Sequence, residues 1–474
     1  MVFSGASFLF FFFPAALAIY SITPRPARNA VLAALSLLFY IWGSGTLVFV
    51  LLVSVAADFA LGFPAARAAR DDNDRLRHQV IAGSVVVNLA MLGFFKYATW
   101  ILDSLSTLGV WTGQAPDITL PIGISFFTFQ SMSYTIDVAR GRSRHLSNPL
   151  DFMLYVTMFP QLIAGPIVRY HEIEAEIRDR RFTLDGVGEG SLRFAHGLVK
   201  KVVIADTIAP IAVAAFAAEP GELSTAAAWL GAVAFTLQIY FDFSGYSDMA
   251  IGLGRMFGFT IPENFRRPYS SLSITDFWRR WHITLSGWFR DYLYIPLGGS
   301  RMPTEAGVRR NLLIVFFLTG LWHGANLTFV VWGLLHGAFL LIERRRGTRY
   351  LEASSPIVDL WRRSRIVLVL VVTWVIFRAD DLGSAAGYLG SMFSFDGGGL
   401  GVLDPVMTTR AALVMAAASL VVVMPRDLVI GPLLTRSRHT IAGVTRVAVM
   451  GLGLPIALLL VASGSFSPFL YFQF

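Results

Sequence analysis

Long apolar stretches broken by short arginine-bearing segments follow one another almost from end to end of this chain. A bilayer's hydrocarbon core is roughly 30 Å thick and takes about 20 apolar residues as a helix. The pattern predicts helical spans at roughly 7–21, 29–43, 45–65, 79–104, 118–136, 192–216, 227–257, 311–324, 326–342, 365–378, 408–424 and 441–463. Several of these are too short to cross alone. Short segments broken by Gly or Pro read as half-crossing or re-entrant helices that line a cavity, because irregular backbone survives at membrane depth only where the protein satisfies it. Pro160 to Tyr170 and Asp276 to Ser300 have that character, the second closed by Gly298 and Gly299. The expected fold class is an all-α polytopic membrane protein, built as a single membrane domain over 1–474.

Arginines cluster at Arg25 and Arg28, Arg67 to Arg77, Arg140 to Arg144, Arg344 to Arg346 and Arg362 to Arg365. The positive-inside rule places these loops in the cytoplasm. The segments Thr107 to Asp117, Ala218 to Thr225 and Asp396 to Gly401 are poor in Lys and Arg and fall outside, and the alternation then leaves both termini outside. Phe8 to Tyr20 has no positive stretch before it and no small-residue cleavage site after it, so it is expected to be a first membrane helix.

Composition agrees: 55% of the residues are hydrophobic and 15% charged, whereas soluble proteins carry about a quarter charged. The formal net charge of +8 sits in loop clusters and forms no continuous basic face, which argues against nucleic acid. With no cysteine, a disulfide framework, a thiolate metal site, S-palmitoylation and a cysteine nucleophile are excluded. No metal site and no tightly bound cofactor is expected. Walker, GxSxG, HExxH and dinucleotide motifs are missing, which argues against nucleotide hydrolysis in this chain. No internal repeat stands out, which weakens the case for a secondary transporter.

His323 lies in a stretch, Asn311 to Ile342, free of Asp, Glu, Lys and Arg. If helical from Arg310, it sits about 20 Å along the axis at 1.5 Å per residue. An ionisable group there is a functional hypothesis by default. Neutral imidazole with one free ring nitrogen can take a proton from an attacking hydroxyl; the competing reading is a histidine that bonds helix to helix. Gly320 and Gly324 would let a substrate or another helix come close. His336 reads as a packing or gating residue. His78, His145, His171, His196 and His439 read as solvated or interfacial.

The densest polar segment runs from Asn264 to Leu293. Arg279, Arg280 and Arg290 can hold phosphates of a nucleotide-bearing donor, since guanidinium pairs bidentately with phosphate, and the aromatic neighbours Trp278 and Trp281 can stack on a base. An interfacial amphipathic helix would have the same content. Gln238, Tyr240, Asp242, Ser244, Tyr246 and Asp248 put two carboxylates into an expected membrane helix. The i,i+4 pairs Asp242 with Tyr246 and Ser244 with Asp248 share faces, so these residues are expected to shape a polar tunnel rather than form a paired-carboxylate site. Lys200 and Lys201 are expected to snorkel to the interface.

The block Arg267-Pro268-Tyr269, Asp276 to Ser286, Trp288 to Gly299 and then Trp322-His323-Gly324 resembles the membrane-bound O-acyltransferases. The Tyr294-Ile295-Pro296-Leu297-Gly298-Gly299 ending, Val2 to Ser4 with Phe8 to Phe10, and Phe241 to Asp248 are similar to the family's bacterial, alginate O-acetylating branch. The resemblance covers nearly the whole chain and is most specific over about 120–340. It implies about 11–12 tilted transmembrane helices, with re-entrant and interfacial helices, ringed around a central tunnel. His323 matches the family's catalytic histidine and His282 its second motif histidine. The resemblance further implies substrate contacts at Trp278, Arg279, Arg280, Trp281, Arg290, Asp291, Trp322 and Asn326. The implied donor is a cytoplasmic thioester, acetyl-CoA, and the implied location is the bacterial inner membrane. The implied partners are a serine-hydrolase-like periplasmic acetyltransferase and polysaccharide export machinery, with membrane lipid around the chain. D-alanyl transfer to teichoic acid, a non-catalytic polysaccharide transporter and an export scaffold are the alternatives.

Overall fold

Every regular element among the described residues is helical. The computed structural model describes residues 2–113, 116, 118–219, 221–347, 355–424, 428–436 and 440–464. Among the described residues, five helical stretches are long and apolar enough to cross a bilayer: Arg25–Arg70, Asp74–Thr107, Thr225–Met256, Leu327–Arg346 and Ala442–Ala462. Phe8–Ile22 and Thr409–Val423 are apolar but shorter. Large apolar side chains, among them Phe11, Trp42, Phe49, Val86 and Leu459, stand exposed on these helices. In water such faces would be a liability; in lipid they are the solvated surface. The chain is therefore an all-α polytopic membrane protein.

The spans fall where the apolar pattern puts them, with ends that differ for local reasons. Those expected at 29–43 and 45–65 are Arg28–Ser44 and Val48–Arg70, joined by a single tight turn at Gly45–Leu47 in which Gly45 takes a φ of 54°. The span expected at 118–136 starts only at Ile124, after Pro121 and the left-handed Gly123. That expected at 311–324 starts earlier, at Glu305, because the Thr304 side chain accepts from the Gly307 amide and caps the first turn. Hydropathy locates the apolar body of a helix, whereas caps decide its ends. Pro160 to Tyr170 is irregular after the short helix Phe159–Leu162 and almost wholly buried, as backbone without a regular ladder must be inside a bilayer.

The chain divides into two compact units, residues 1–194 with 249–262 and residues 195–248 with 263–474. In the first, Phe3, Phe8, Phe12, Phe39 and Phe159 pack ring against ring with centroids 5.0 to 6.4 Å apart. The buried Asp58 accepts from Ser84 at 2.5 Å, Thr135 at 2.6 Å and Asn88, tying three helices together. His439 lies outside the described residues.

The second unit is organised by an antiparallel hairpin, Glu305–His323 and Leu327–Arg346. A Cβ on Gly320 would stand 2.4 Å from the Phe329 carbonyl oxygen, and one on Gly333 2.3 Å from that of Phe316. The small residues serve helix contact. On the loops, the Ser224 hydroxyl donates to the Gly399 carbonyl at 2.6 Å and the Thr225 amide to Asp396 at 2.7 Å. Two of the segments poor in Lys and Arg thus meet, which puts them on the same side of the membrane.

Gly333→Val is expected to lower folding stability by about 1–3 kcal/mol, the usual cost of overpacking, whereas Gly93→Val, where nothing lies within 4 Å, is expected to be near neutral. Unfolding midpoints in detergent check this; equal midpoints would remove the close contact from the account of the hairpin.

Candidate active site

His323 is the last residue of its helix, which covers 19 residues or about 28 Å. The helix stops there because Gly324 is fully extended and Asn326 caps the return helix, its side chain accepting from the Thr328 amide at 3.0 Å and donating to the Asp380 carbonyl at 2.5 Å. His323 is thus placed by a turn, one helix length from the arginines at 344–346, rather than part-way along a continuous helix. The ring is buried and meets Trp332 and Phe377 edge to face, each at 5.2 Å, with Trp322 at 5.0 Å and Phe329 at 6.4 Å. Edge-to-face packing on several sides fixes the ring plane. Gly324 touches the Phe329 ring, where a Cβ would come within 2.2 Å, so this glycine admits a side chain of the hairpin.

His282 is fully buried and left-handed, with a φ of 43°. Its Nδ1 lies 3.1 Å from Asn264 Oδ1, and its ring meets Phe243 at 4.8 Å and Trp322 at 5.8 Å. Trp322 therefore touches both motif histidines. Asn264, in the segment the sequence marks as polar but to which no role attaches there, also accepts from the Thr284 hydroxyl at 2.9 Å and donates to Ser247 at 3.1 Å.

A cavity of about 820 Å³ opens at the arginine end of the hairpin. Arg279 and Arg290 line it, and Arg309, Arg344 and Arg345 join them, with Trp278, Tyr294, Glu305 and Glu343. Arg344 pairs with Glu305 at 3.1 Å, and its guanidinium holds the Glu305 carboxyl below the usual carboxylate range. Glu343 accepts from the amides of Ile274 and Thr275 at 2.7 and 2.9 Å, capping the short helix that carries Trp278. Arg280 and Trp281 are not on this wall: Arg280 pairs with Asp276 at 2.8 Å, and Trp281 is buried against Phe277, Tyr269 and Trp374. Asp291 holds the Arg290 guanidinium at 2.7 Å. From the cavity wall a run of rings leads inward: Trp278 to His336 at 5.5 Å, His336 to Trp332 at 4.9 Å, Trp332 to His323 at 5.2 Å.

The acidic helix differs most from expectation. Gln238, Tyr240, Asp242, Ser244, Tyr246 and Asp248 are all buried, but neither described cavity is lined by them. Lys200 and Lys201 do not snorkel. They lie on a π-helical segment, Val199–Ala205, and turn inward: Lys201 pairs with Asp242 at 2.8 Å and Asp206 at 2.7 Å, and Lys200 with Asp248 at 2.7 Å. His196, expected at an interface, is buried 3.5 Å from Asp248. Two carboxylates in an apolar run imply cations elsewhere, and the adjacent lysines were the available signal. His145 and His171 are likewise held, by Tyr134 at 2.7 Å and Asp137 at 2.8 Å.

The family model described as MBOAT, membrane-bound O-acyltransferase family, matches residues 78–377. A probable alginate O-acetylase AlgI of Azotobacter vinelandii is 41% identical, with 100% of each chain covered. One of the same description from Pseudomonas aeruginosa is 46% identical over 83% of this chain and 75% of its own. A peptidoglycan O-acetyltransferase of Helicobacter pylori is 36% identical over 84% and 80%.

Lys201→Met leaves Asp206 and Asp242 without that cation, and breaking a buried pair costs about 3–5 kcal/mol. Folded yield and unfolding midpoint are expected to drop sharply, and the triple variant with Asp206→Asn and Asp242→Asn to recover most of the loss. An unaltered midpoint in the single variant would show that the pairs carry no such weight.

Proposed function

This chain belongs to the membrane-bound O-acyltransferase family and is an O-acyltransferase, and from that premise we propose that it passes an acetyl group from cytoplasmic acetyl-CoA to an acceptor on the outer side of the bacterial inner membrane, for O-acetylation of an exported polysaccharide. The observation that carries this reading is the ring path joining the five-arginine cavity to the caged His323. Guanidinium groups pair bidentately with phosphate, the volume lies in the range of ligand pockets, and Trp278 and Tyr294 offer ring faces. In this reading a nucleotide head is held there and its thioester arm extends toward His323 past the packed rings of His336 and Trp332.

His323 takes the proton of the acceptor hydroxyl as the oxygen attacks the thioester carbonyl; the C–S bond breaks, and the proton passes to the departing thiolate. The fixed ring plane supports this step, because a base acts only when the reacting atoms are held within about 3–3.5 Å. The immediate acceptor in this reading is the serine of a serine-hydrolase-like periplasmic partner, which hands acetyl to the polymer beside the export machinery. Relatives described as alginate O-acetylases favour alginate or a similar uronic acid polymer. The sequence ending Tyr294 to Gly299 favours acetyl over D-alanyl transfer. In this reading both termini lie in the periplasm.

In proteoliposomes with labelled acetyl-CoA and the periplasmic partner, His323→Ala is expected to cut transfer by about 10²–10⁴, the usual worth of a general base. Arg279→Ala with Arg290→Ala is expected to raise KM for acetyl-CoA with a smaller effect on kcat. Undiminished acetylation in the His323 variant with reduced polymer export would favour the transporter reading; activity with a D-alanyl carrier protein alone would favour D-alanyl transfer.

A further inference from the structure

We propose that Asn264 is a positioning residue that fixes the tautomer of His282, holding the proton on Nδ1 and leaving the lone pair on Nε2. The assignment follows from donor and acceptor identity. The Thr284 backbone amide, which can only donate, points to Asn264 Oδ1 at 3.3 Å, and the Thr284 hydroxyl points to the same atom at 2.9 Å. The Asn264 Nδ2 amide is directed to Ser247 at 3.1 Å. The atom facing His282 is therefore an oxygen, and a neutral ring 3.1 Å away must bring N–H at Nδ1. The backbone reinforces the arrangement: the Ile283 amide donates to the Asn264 carbonyl at 3.0 Å, so Asn264 holds the main chain next to His282 as well as its ring, while His282 stays in the left-handed region.

His336 provides the contrast within the same unit. The Trp278 Nε1–H, a donor only, points to His336 Nδ1 at 3.3 Å. That bond requires a neutral ring with its proton on Nε2. The two buried histidines are thus set in opposite tautomers by their neighbours, His282 presenting an acceptor at Nε2 and His336 a donor. The chemical consequence rests on the acyl-transfer reading above: His282 accepts a hydrogen bond, or a proton, from a hydroxyl or amide N–H of substrate beside Trp322, and cannot give a proton unless first charged.

Solid-state ¹⁵N NMR on the full-length, histidine-labelled protein in lipid bilayers tests the assignment, with the two rings identified by the signals lost in His282→Gln and His336→Gln. Expected are a protonated Nδ1 with an unprotonated Nε2 for His282, and the reverse for His336. Asn264→Leu is expected to release the His282 tautomer and to lower kcat by about tenfold or more while KM for acetyl-CoA changes little. Asn264→Asp keeps an acceptor and is expected to keep the Nδ1 proton; Thr284→Val, which removes only the neighbouring bond, is expected to leave the tautomer in place. A protonated Nε2 on His282 in the wild-type protein overturns the proposal even if every variant misfolds, and so does an unchanged tautomer in Asn264→Leu. Because the spectrum is read without turnover, a failure of the acetyl-transfer reading leaves this result standing or falling by itself.

Discussion

Hydrocarbon offers no water to a polar group, and that constraint governs how this molecule is put together. Several buried polar side chains are answered by protein. Asp58 is answered by two hydroxyls and an amide, the carboxylates of Asp242 and Asp248 by lysines, and His282 by Asn264. The same constraint explains why the irregular stretches are deeply buried and why the long helices present apolar rings outward. Removing one member of such a set leaves its partner stranded, which makes these clusters the points at which the fold is most sensitive.

The proposed function rests on a division of labour along one hairpin. Its arginine end is polar, wide and lined with guanidinium groups, while its turn end holds a histidine in a cage of rings. Close packing at Gly320 and Gly333 keeps the two helices in one register, so the distance between cavity and histidine is set by helix length and not by a flexible loop. The cavity end carries two charge pairs, Arg344 with Glu305 and Arg290 with Asp291.

Much of this was legible in the sequence because lipid imposes a simple code. Apolar length gave the spans, and the isolation of His323 among uncharged residues marked it out. The motif resemblance then joined His282 to it. What remained hidden depends on direction. Arg279 and Arg280 are adjacent, yet one lines the cavity and the other pairs with Asp276, and no periodicity distinguishes them across a segment made of short helical pieces. Lys200 and Lys201 look like interfacial residues until the π turn swings them inward. Asn264 carries no signal of its own, since its importance lies in facing a residue eighteen positions away.

The lysine–aspartate pairs also bear on how the chain enters its membrane. A lysine or aspartate at the centre of a lone helix costs about 2.5–3.5 kcal/mol to insert; the first of the two stretches carries three such groups, Lys200, Lys201 and Asp206, and the helix holding Asp242 and Asp248 carries two. Only a short loop, 218–224, separates Asp206–Ala217 from Thr225–Met256. Biogenesis is therefore easiest if the two segments leave the translocon together as a neutralised pair, so that the order of insertion is written into the same contacts that hold the finished bundle.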